Sequence, residues 1–398
     1  MLCHKRLRGS RICYSIGMKR GETITIKSPV DVHAHLREPG TNKSETIASG
    51  TRAARAGGYQ AVFDMPNNPG APTHSASRVV EKLSIASRTG NLDIGFYAGI
   101  DLANPATDQI PRMIGRTVGL KLYMGKTTGN NQPYTLDDAR EAIDVWINQA
   151  DQRGFQAPIL LHAEGDIGAE TADYIARQDH QAHWCHVSTT EEAHHAHILK
   201  QKYPERFTAE VTPHHLTMTD INAEQLGWPG GRMMPSLKTE IDRDALQWAF
   251  THGDIDIIGT DHAPHAMENK LAVENENPHG HTEDGCATCF GVSGIEFAVP
   301  ILARQALLGN FSKDKSVDES FERLEDALYT QPLRMLGIQQ GNMPARTVLE
   351  LGAYRIEKEQ IVGSSENTPY INMIAGAKVL EVTGLRHPRM FMAQQKVV

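Results

Sequence analysis

Residues 31–40 read DVHAHLREPG and place two histidines two positions apart at the end of an apolar run. In a β-strand, side chains two residues apart point to the same side, so His33 and His35 share one face. Two imidazoles that converge from one strand end can bind a single divalent ion. They can equally be ordinary polar residues at a strand end, and the rest of the chain decides between these interpretations.

Seven further β-like runs follow, separated by longer segments with helical patterns. The eight runs cover residues 30–35, 59–65, 92–98, 118–123, 158–162, 182–187, 207–212 and 254–260. Such alternation is typical of a parallel sheet with right-handed crossovers, and eight units favour a closed (β/α)8 TIM-type barrel over an open sheet. In the helix predicted after the fourth run, one face carries Ala139, Ile143, Trp146, Ile147 and Ala150.

Composition limits the class of protein. The chain has 398 residues, of which 40% are hydrophobic and 22% charged, as in globular proteins. A net charge of -8 argues against a nucleic-acid partner. No apolar run approaches the ~18–20 residues that a membrane span needs, so no membrane partner is expected. Five cysteines are an odd number in a large chain, which favours a reducing cytoplasm over a disulfide scaffold.

We expect three segments along the chain. Residues 1–29 form a partly disordered leader and lead-in, and residues 1–17 lack the apolar run of a secretory signal. Residues 30–337 form the barrel. Past about residue 337 the alternation of strand and helix patterns ends. Residues 338–398 form a small, reduced β-rich appendage on the outside of the barrel.

Polar side chains occupy the later predicted strands at or near their C-terminal ends, where barrel enzymes build their sites. They are Lys121, His162, His186, Glu210 and Asp261. A buried lysine must be paired, neutral or chemically altered. A neutral Lys121 can react with carbon dioxide to give a carbamate, whose two oxygens can bridge two metal ions. The alternative is a salt bridge from Lys121 to Glu210 or Asp261.

Seven motifs carry a resemblance to a known family. They are DVHAHLREPG, FDMPNN, GLKLYMG, LLHAEGD, CHVST, EVTPHHL and GTDHAPH, and they span about residues 30–300. In this order they resemble the dihydroorotases, of the cyclic amidohydrolase branch of the amidohydrolase superfamily. The resemblance implies a metal-dependent barrel hydrolase that interconverts N-carbamoyl-L-aspartate and L-dihydroorotate in pyrimidine (UMP) biosynthesis.

The resemblance also implies roles for single residues. It implies two zinc ions, bridged by a carboxylated Lys121, whose ligands are His33, His35, Lys121, His162, His186 and Asp261. It makes Asp261 the proton carrier for a metal-bridging hydroxide, and it assigns Arg37, Asn67 and His265 to the substrate. From the residues alone, Arg37 could form a rim salt bridge, Asn67 could belong to a turn, and His265 could be a solvated loop residue.

Some features depart from the dihydroorotase pattern. Many dihydroorotases carry Asn-Pro-Pro before the eighth strand, whereas this chain has Met234 and Ser236 in RMMPSLKTE, which changes one expected substrate contact. The N-terminal half of the usual β-sandwich domain is expected to be absent. In the loop after the eighth strand, a structural zinc site is an open alternative for His279, His281, Cys286 and Cys289.

Two other functions are compatible with the sequence. A hydantoinase, dihydropyrimidinase or allantoinase shares the fold and the reaction class, but its neutral ring offers no carboxylate to Arg37. An inactive barrel that scaffolds a partner such as aspartate transcarbamoylase predicts missing ligands, whereas every expected ligand type is present. A homodimer and an association with aspartate transcarbamoylase remain open.

Overall fold

The computed structural model describes residues 21–40, 44–89, 91–125, 127, 133–276, 289–386 and 388–395. Its strands are β1 (Thr23–Lys27), β2 (Val30–Ala34), β3 (Ala61–Asp64), β4 (Asp93–Gly99), β5 (Gly119–Tyr123), β6 (Phe155–Gln156), β7 (Ile159–His162), β8 (Ala182–Trp184), β9 (Phe207–Val211), β10 (Ile257–Ile258), β11 (Arg346–Arg355), β12 (Ile374–Thr383), β13 (Met390–Phe391) and β14 (Gln394–Gln395). Its α-helices are α1 (Ile47–Ala56), α2 (Ala76–Thr89), α3 (Ile110–Met113), α4 (Leu136–Arg153), α5 (Asp166–Ala176), α6 (Thr190–Lys202), α7 (Pro213–Thr217), α8 (Asp220–Gly230), α9 (Glu240–His252), α10 (Met267–Glu276), α11 (Ala298–Leu307), α12 (Val317–Glu325) and α13 (Gln331–Leu336). None of these helices combines the length and the apolar character that crossing a bilayer requires.

Eight parallel strands form a nearly closed barrel. Their order around the sheet follows the chain: β2, β3, β4, β5, β7, β8, β9 and β10. The circle is completed just past β10, where the His35 amide donates to the His262 carbonyl at 2.8 Å and Ala34 forms a parallel bridge with His262. The (β/α)8 prediction is therefore confirmed, and each of the eight predicted runs overlaps one of these strands.

Alternation along the strands separates the core from the site. In β5, Leu120 and Leu122 pack outward into the apolar cluster shared with the surrounding helices. Lys121 and Tyr123 point to the inside, where they approach β8 and the cavity at the barrel mouth. Because the side-chain period of a strand is two residues, one short strand supplies both the hydrophobic core and functional groups.

Helix α4 illustrates how local sequence sets helix length. The Thr135 side chain accepts from the Asp138 amide and the Asp138 side chain accepts from the Thr135 amide, which forms a capping box. Gly154 ends the helix with a φ of 65°, a conformation that glycine adopts without strain. The predicted apolar face is buried as expected at Ala139, Ile143, Trp146, Ile147 and Ala150.

The β-rich appendage draws on both ends of the described chain. Its antiparallel sheet has the order β1, β11, β12, with Thr23 opposite Glu350. Within the described residues, the N-terminal segment thus contributes strand β1 to the appendage, whereas the N-terminal half was expected to be absent; β1 covers an edge of β11. Later in the chain, β13 pairs with β4 and β14 with β6. The boundaries at residues 29 and 337 remain predictions, and these pairings cross them; residues 1–20 lie outside the described residues.

A buried ion pair ties helix α2 to the barrel next to the first histidine motif. Lys82 Nζ lies 2.6 Å from Asp64 Oδ2, and both side chains are fully buried. The other carboxylate oxygen of Asp64 accepts from the Leu36 amide at 2.7 Å. This pair therefore fixes the backbone between His35 and Arg37.

Lys82→Met should lower the free energy of unfolding by ~3–5 kcal/mol, because it leaves the Asp64 carboxylate buried without its partner. Urea denaturation followed by circular dichroism measures the change. Arg78→Met, which removes an exposed pair with Glu81 on the same helix, is the control and should cost less than ~1 kcal/mol. If both variants lost the same free energy of unfolding, the stabilising role of the buried pair between Lys82 and Asp64 would be contradicted.

Candidate active site

The six predicted metal ligands gather at the C-terminal ends of the barrel strands. They are His33 and His35 at β2, Lys121 in β5, His162 at the end of β7, His186 after β8 and Asp261 after β10, and all are buried. A cavity of about 20 Å³ lies among them, lined by five of these ligands together with Arg37, Asn67 and Met234. The residues that line this cavity do not include Lys121, His265 or Ser236.

Asp261 contacts both histidines of the first motif. Its Oδ1 lies 3.0 Å from His35 Nε2 and 3.4 Å from His33 Nε2. Donor atoms of His33, His186 and Asp261 lie within 4.8 Å of one another. His162 Nδ1 lies 2.8 Å from His186 Nε2. Five side chains that are distant in sequence thus present donor atoms to one small volume.

Lys121 has a partner that the sequence analysis missed. Its Nζ lies 2.8 Å from Cys185 Sγ, and both residues are fully buried. Glu210, a predicted alternative partner of Lys121, contacts His33 at 2.7 Å and His183 at 3.2 Å instead. His33, Cys185 and Glu210 form a second group of donor atoms within 4.8 Å of one another. The motif CHVST contains Cys185, but its strand position gave no sign that it faces inward.

The two carboxylates of the site are held in their charged form. Burial would raise the pKa of Glu210, but His33 and His183 hold it well below its usual range. Burial would likewise raise the pKa of Asp261, and His33 and His35 hold it well below the usual range. For His33, burial lowers the pKa, yet Glu210 and Asp261 outweigh it and raise the value to about 10. The site is therefore organised to stabilise positive charge.

The donor set fits a divalent metal ion. Imidazole nitrogens and carboxylate oxygens are typical ligands of zinc and its neighbours in the first transition row. Nδ1 of His186 is buried and has no hydrogen-bond partner among the residues that the structure describes. Buried polar groups are costly unless they bind something. The two groups of donor atoms are thus candidate metal-binding clusters.

Backbone conformation aims three of these side chains at the barrel mouth. Arg37, His186 and Asp261 have φ angles of 58°, 39° and 44°. Residues other than glycine rarely adopt this left-handed region, at a cost of ~1–3 kcal/mol each, and such strain clusters at functional sites. Each residue follows a barrel strand, so the turn breaks the regular alternation where the site begins.

Arg37 is buried beside the cavity rather than at an exposed rim. Its Nη2 lies 3.1 Å from His265 Nε2, and its Nε donates to the Pro264 carbonyl at 3.4 Å. Nη1 is buried and has no partner within the described part of the chain. His265 Nε2 also lies 2.8 Å from the Phe290 carbonyl, and burial lowers the pKa of this histidine. His265 is therefore a buried neighbour of the guanidinium and is not a solvated loop residue.

Asn67 connects a metal ligand to a larger cavity. Its Oδ1 accepts from His35 Nδ1 at 2.7 Å, which fixes the ring so that Nε2 faces Asp261. Asn67 also lines an adjoining cavity of about 330 Å³. Of the loop considered as a structural zinc site, the structure describes only Cys289, which is buried; His279, His281 and Cys286 lie outside the described residues.

Comparisons with known proteins show which families this chain resembles. A family model described as Dihydro-orotase-like matches residues 23–110. A dihydroorotase from Staphylococcus epidermidis is 29% identical over 381 residues, which cover 86% of this chain and 82% of that protein. The chain is therefore similar to dihydroorotases over most of its length. The multifunctional protein CAD of Squalus acanthias is 31% identical to it over 306 residues, covering 77% of this chain and 12% of that much longer relative.

Solved structures of other proteins share the barrel fold of this chain. An L-hydantoinase (dihydropyrimidinase) from Arthrobacter aurescens superposes with a TM-score of 0.73 at 17% identity, covering 94% of this chain and 89% of that chain. An inactive dihydroorotase-like domain of the CAD-like multifunctional protein from Chaetomium thermophilum superposes with a TM-score of 0.68 at 16% identity, covering 94% and 97%. At these identities the likeness concerns the barrel and not the substrate.

Proposed function

We propose that this dihydroorotase-like protein catalyses the reversible cyclisation of N-carbamoyl-L-aspartate to L-dihydroorotate, a step of pyrimidine biosynthesis. The observation that supports it most is the buried Arg37, whose Nη1 lacks a partner among the described residues beside the cavity of potential metal ligands. A buried cation needs an anion, and a carboxylate matches the fork of a guanidinium. Both proposed substrates carry a carboxylate that takes no part in the reaction, whereas the rings of hydantoin and allantoin carry none.

We propose two zinc ions per chain as the cofactor, bridged by a carboxylated Lys121. The other ligands in this proposal are His33, His35, His162, His186 and Asp261. Bound zinc lowers the pKa of water and so supplies hydroxide near neutral pH. Carboxylation requires Lys121 to lose its proton and leave Cys185, because an ammonium nitrogen has no electron pair with which to attack carbon dioxide.

Asp261 is the proposed proton carrier. Its carboxylate lies within 3.4 Å of His33 and 3.0 Å of His35 at the cavity, where a carboxylate oxygen can accept a proton from the attacking water. In hydrolysis it passes this proton to the ring nitrogen that leaves, and in cyclisation it takes a proton from the carbamoyl nitrogen. Arg37 and Asn67 hold the remote carboxylate, which orients the reacting carbonyl toward Asp261.

The proposal is tested by a comparison of substrates. Hydrolysis of L-dihydroorotate and its formation from N-carbamoyl-L-aspartate are measured beside hydrolysis of hydantoin, dihydrouracil and allantoin, with zinc counted on the same preparation. We expect the highest kcat/KM with L-dihydroorotate and about two zinc ions per chain. A higher kcat/KM with hydantoin or allantoin would contradict the substrate and favour a cyclic amidase of another specificity.

Arg37→Met should raise the KM for L-dihydroorotate by about 30- to 150-fold, because a charge-assisted contact to a carboxylate contributes ~2–3 kcal/mol. Zinc content should stay close to that of the unaltered protein. Arg323→Met is the control, since this buried arginine donates to the Phe250 carbonyl, away from the cavity. A parallel loss of zinc and of substrate affinity in Arg37→Met would make Arg37 a structural residue.

The inactive dihydroorotase-like domain among the structural neighbours favours a second candidate function. In this alternative the chain is an inactive barrel that scaffolds a partner such as aspartate transcarbamoylase. It predicts zinc near zero per chain and no turnover of any of the cyclic amides above. A homodimer and an association of the active enzyme with aspartate transcarbamoylase also remain proposals, and the cytoplasmic location remains a prediction from the cysteine content.

A further inference from the structure

Tyr123 carries a hydroxyl that the proposed mechanism leaves unused. It is the last residue of β5, two positions after Lys121, so its side chain shares the interior face of the barrel. The residue is only 8% exposed, and its hydroxyl has no hydrogen-bond partner among the described residues. A buried hydroxyl is costly without a partner, so its position at the site points to a bound ligand.

Tyr123 lies where a ligand would pass from one cavity to the next. It lines both the cavity of about 20 Å³ at the metal ligands and the adjoining cavity of about 330 Å³, as do Asn67 and Thr127. The smaller cavity is too small for a six-membered ring, whereas the larger one lies in the range of small-molecule sites. A ring substrate that reaches Asp261 from the larger cavity therefore passes the Tyr123 hydroxyl.

The surroundings of this hydroxyl favour an anionic ligand. Tyr123 and Arg37 line the same cavity of about 20 Å³, so a positive charge lies beside the hydroxyl. Arg37 Nη1 is likewise buried without a partner among the described residues. Two neighbouring donors that both lack an acceptor are satisfied together by a carboxylate, which has two oxygens to offer.

We propose that the Tyr123 hydroxyl donates a hydrogen bond to the same substrate carboxylate that Arg37 binds. Tyr123 is then a substrate-binding residue that helps to select rings bearing a carboxylate, and it carries no proton in the reaction. This inference rests on the proposed function, because the carboxylate is that of L-dihydroorotate or N-carbamoyl-L-aspartate.

Tyr123→Phe removes the hydroxyl oxygen and keeps the ring. In the zinc-loaded protein it should raise the KM for L-dihydroorotate about tenfold, with kcat changed less than about twofold and zinc content unchanged. Tyr59→Phe is the matched control, since Tyr59 also has a buried hydroxyl without a partner among the described residues but lines neither cavity. In an Arg37→Met background the effect of Tyr123→Phe should shrink, because both residues bind one group.

Two results would overturn the inference. One is a KM for Tyr123→Phe that equals the KM for Tyr59→Phe; the other is a loss of zinc, which would make Tyr123 a support for Lys121. If the unaltered protein does not turn over L-dihydroorotate, the proposed function fails. The contact of Tyr123 with a carboxylate is then tested separately, by calorimetric binding of N-carbamoyl-L-aspartate to the zinc-loaded protein. A Kd weakened about tenfold by Tyr123→Phe supports the contact, and an unchanged Kd or no binding to the unaltered protein rejects it.

Discussion

Replacing Asp261 with asparagine is expected to lower kcat for L-dihydroorotate by about 1000-fold or more, the scale of a lost general acid–base group. The amide keeps the shape of the side chain but cannot accept the proton of the attacking water. Its carbonyl oxygen can still face the metal, and the histidines of the site are unchanged. Much of the zinc should therefore remain bound, which is checked by measuring kcat and zinc on the same preparation.

Asp256→Asn provides the control for this experiment. Asp256 precedes β10, is also buried, and binds Lys200 and the Ala209 amide rather than the metal ligands. We expect it to change the stability of the barrel and to leave kcat close to normal. Near-normal turnover in Asp261→Asn would reject Asp261 as the proton carrier, and loss of all zinc would reduce its role to that of a ligand.

Lys121→Met should also lower kcat about 1000-fold, in this case together with the zinc content. Methionine fills the space of the lysine stem but cannot form a carbamate, so the proposed bridge between two ions is lost. A bound metal contributes several kcal/mol to catalysis, and ~4 kcal/mol corresponds to this factor. The change is measured by zinc analysis and by turnover of L-dihydroorotate.

Lys200→Met is the matched control for Lys121→Met. Lys200 is largely buried and pairs with Asp256, remote from the cavity, so its loss should leave zinc and turnover in place. Native mass spectrometry of the unaltered protein adds a direct test, because a carbamate on Lys121 adds the mass of carbon dioxide. If Lys121→Met kept its full zinc content and normal turnover, the proposed carbamate would be rejected. The contact between Lys121 and Cys185 would then be only structural.

The sequence predicted the barrel because its signals are local. Each strand is an apolar run, and each helix carries an apolar face, as α4 does. The ends of the strands were less predictable. The sixth run was expected to cover 182–187, yet β8 ends at Trp184, because the backbone turns to a φ of 39° at His186.

The same turn explains why Cys185 was missed. In a regular strand, Cys185 and His186 would point to opposite faces, so a metal-ligating His186 placed its neighbour outside the barrel. The break in alternation brings both side chains to the inside, where Cys185 meets Lys121. Backbone conformation of this kind depends on the packing of several strands and cannot be inferred from one motif.

The substrate residues were predictable only in part. The resemblance assigned Arg37 and Asn67 to the substrate, and both line the cavity at the predicted metal ligands. It did not indicate that His265 would contact Arg37, or that Asn67 would hold His35 in place. These contacts join segments far apart in the chain, so they appear only in three dimensions. Their roles toward a substrate remain predictions.

The pairing of β1 with β11 has a consequence for synthesis on the ribosome. Thr23 lies opposite Glu350, so nearly the whole barrel must emerge before the first strand meets its partner. At ~5–20 residues per second, the edge of β1 stays unpaired for roughly 15–65 s during translation. An unpaired edge can recruit strands of other chains. The more slowly a host translates, the more the yield should thus depend on factors that shield nascent chains.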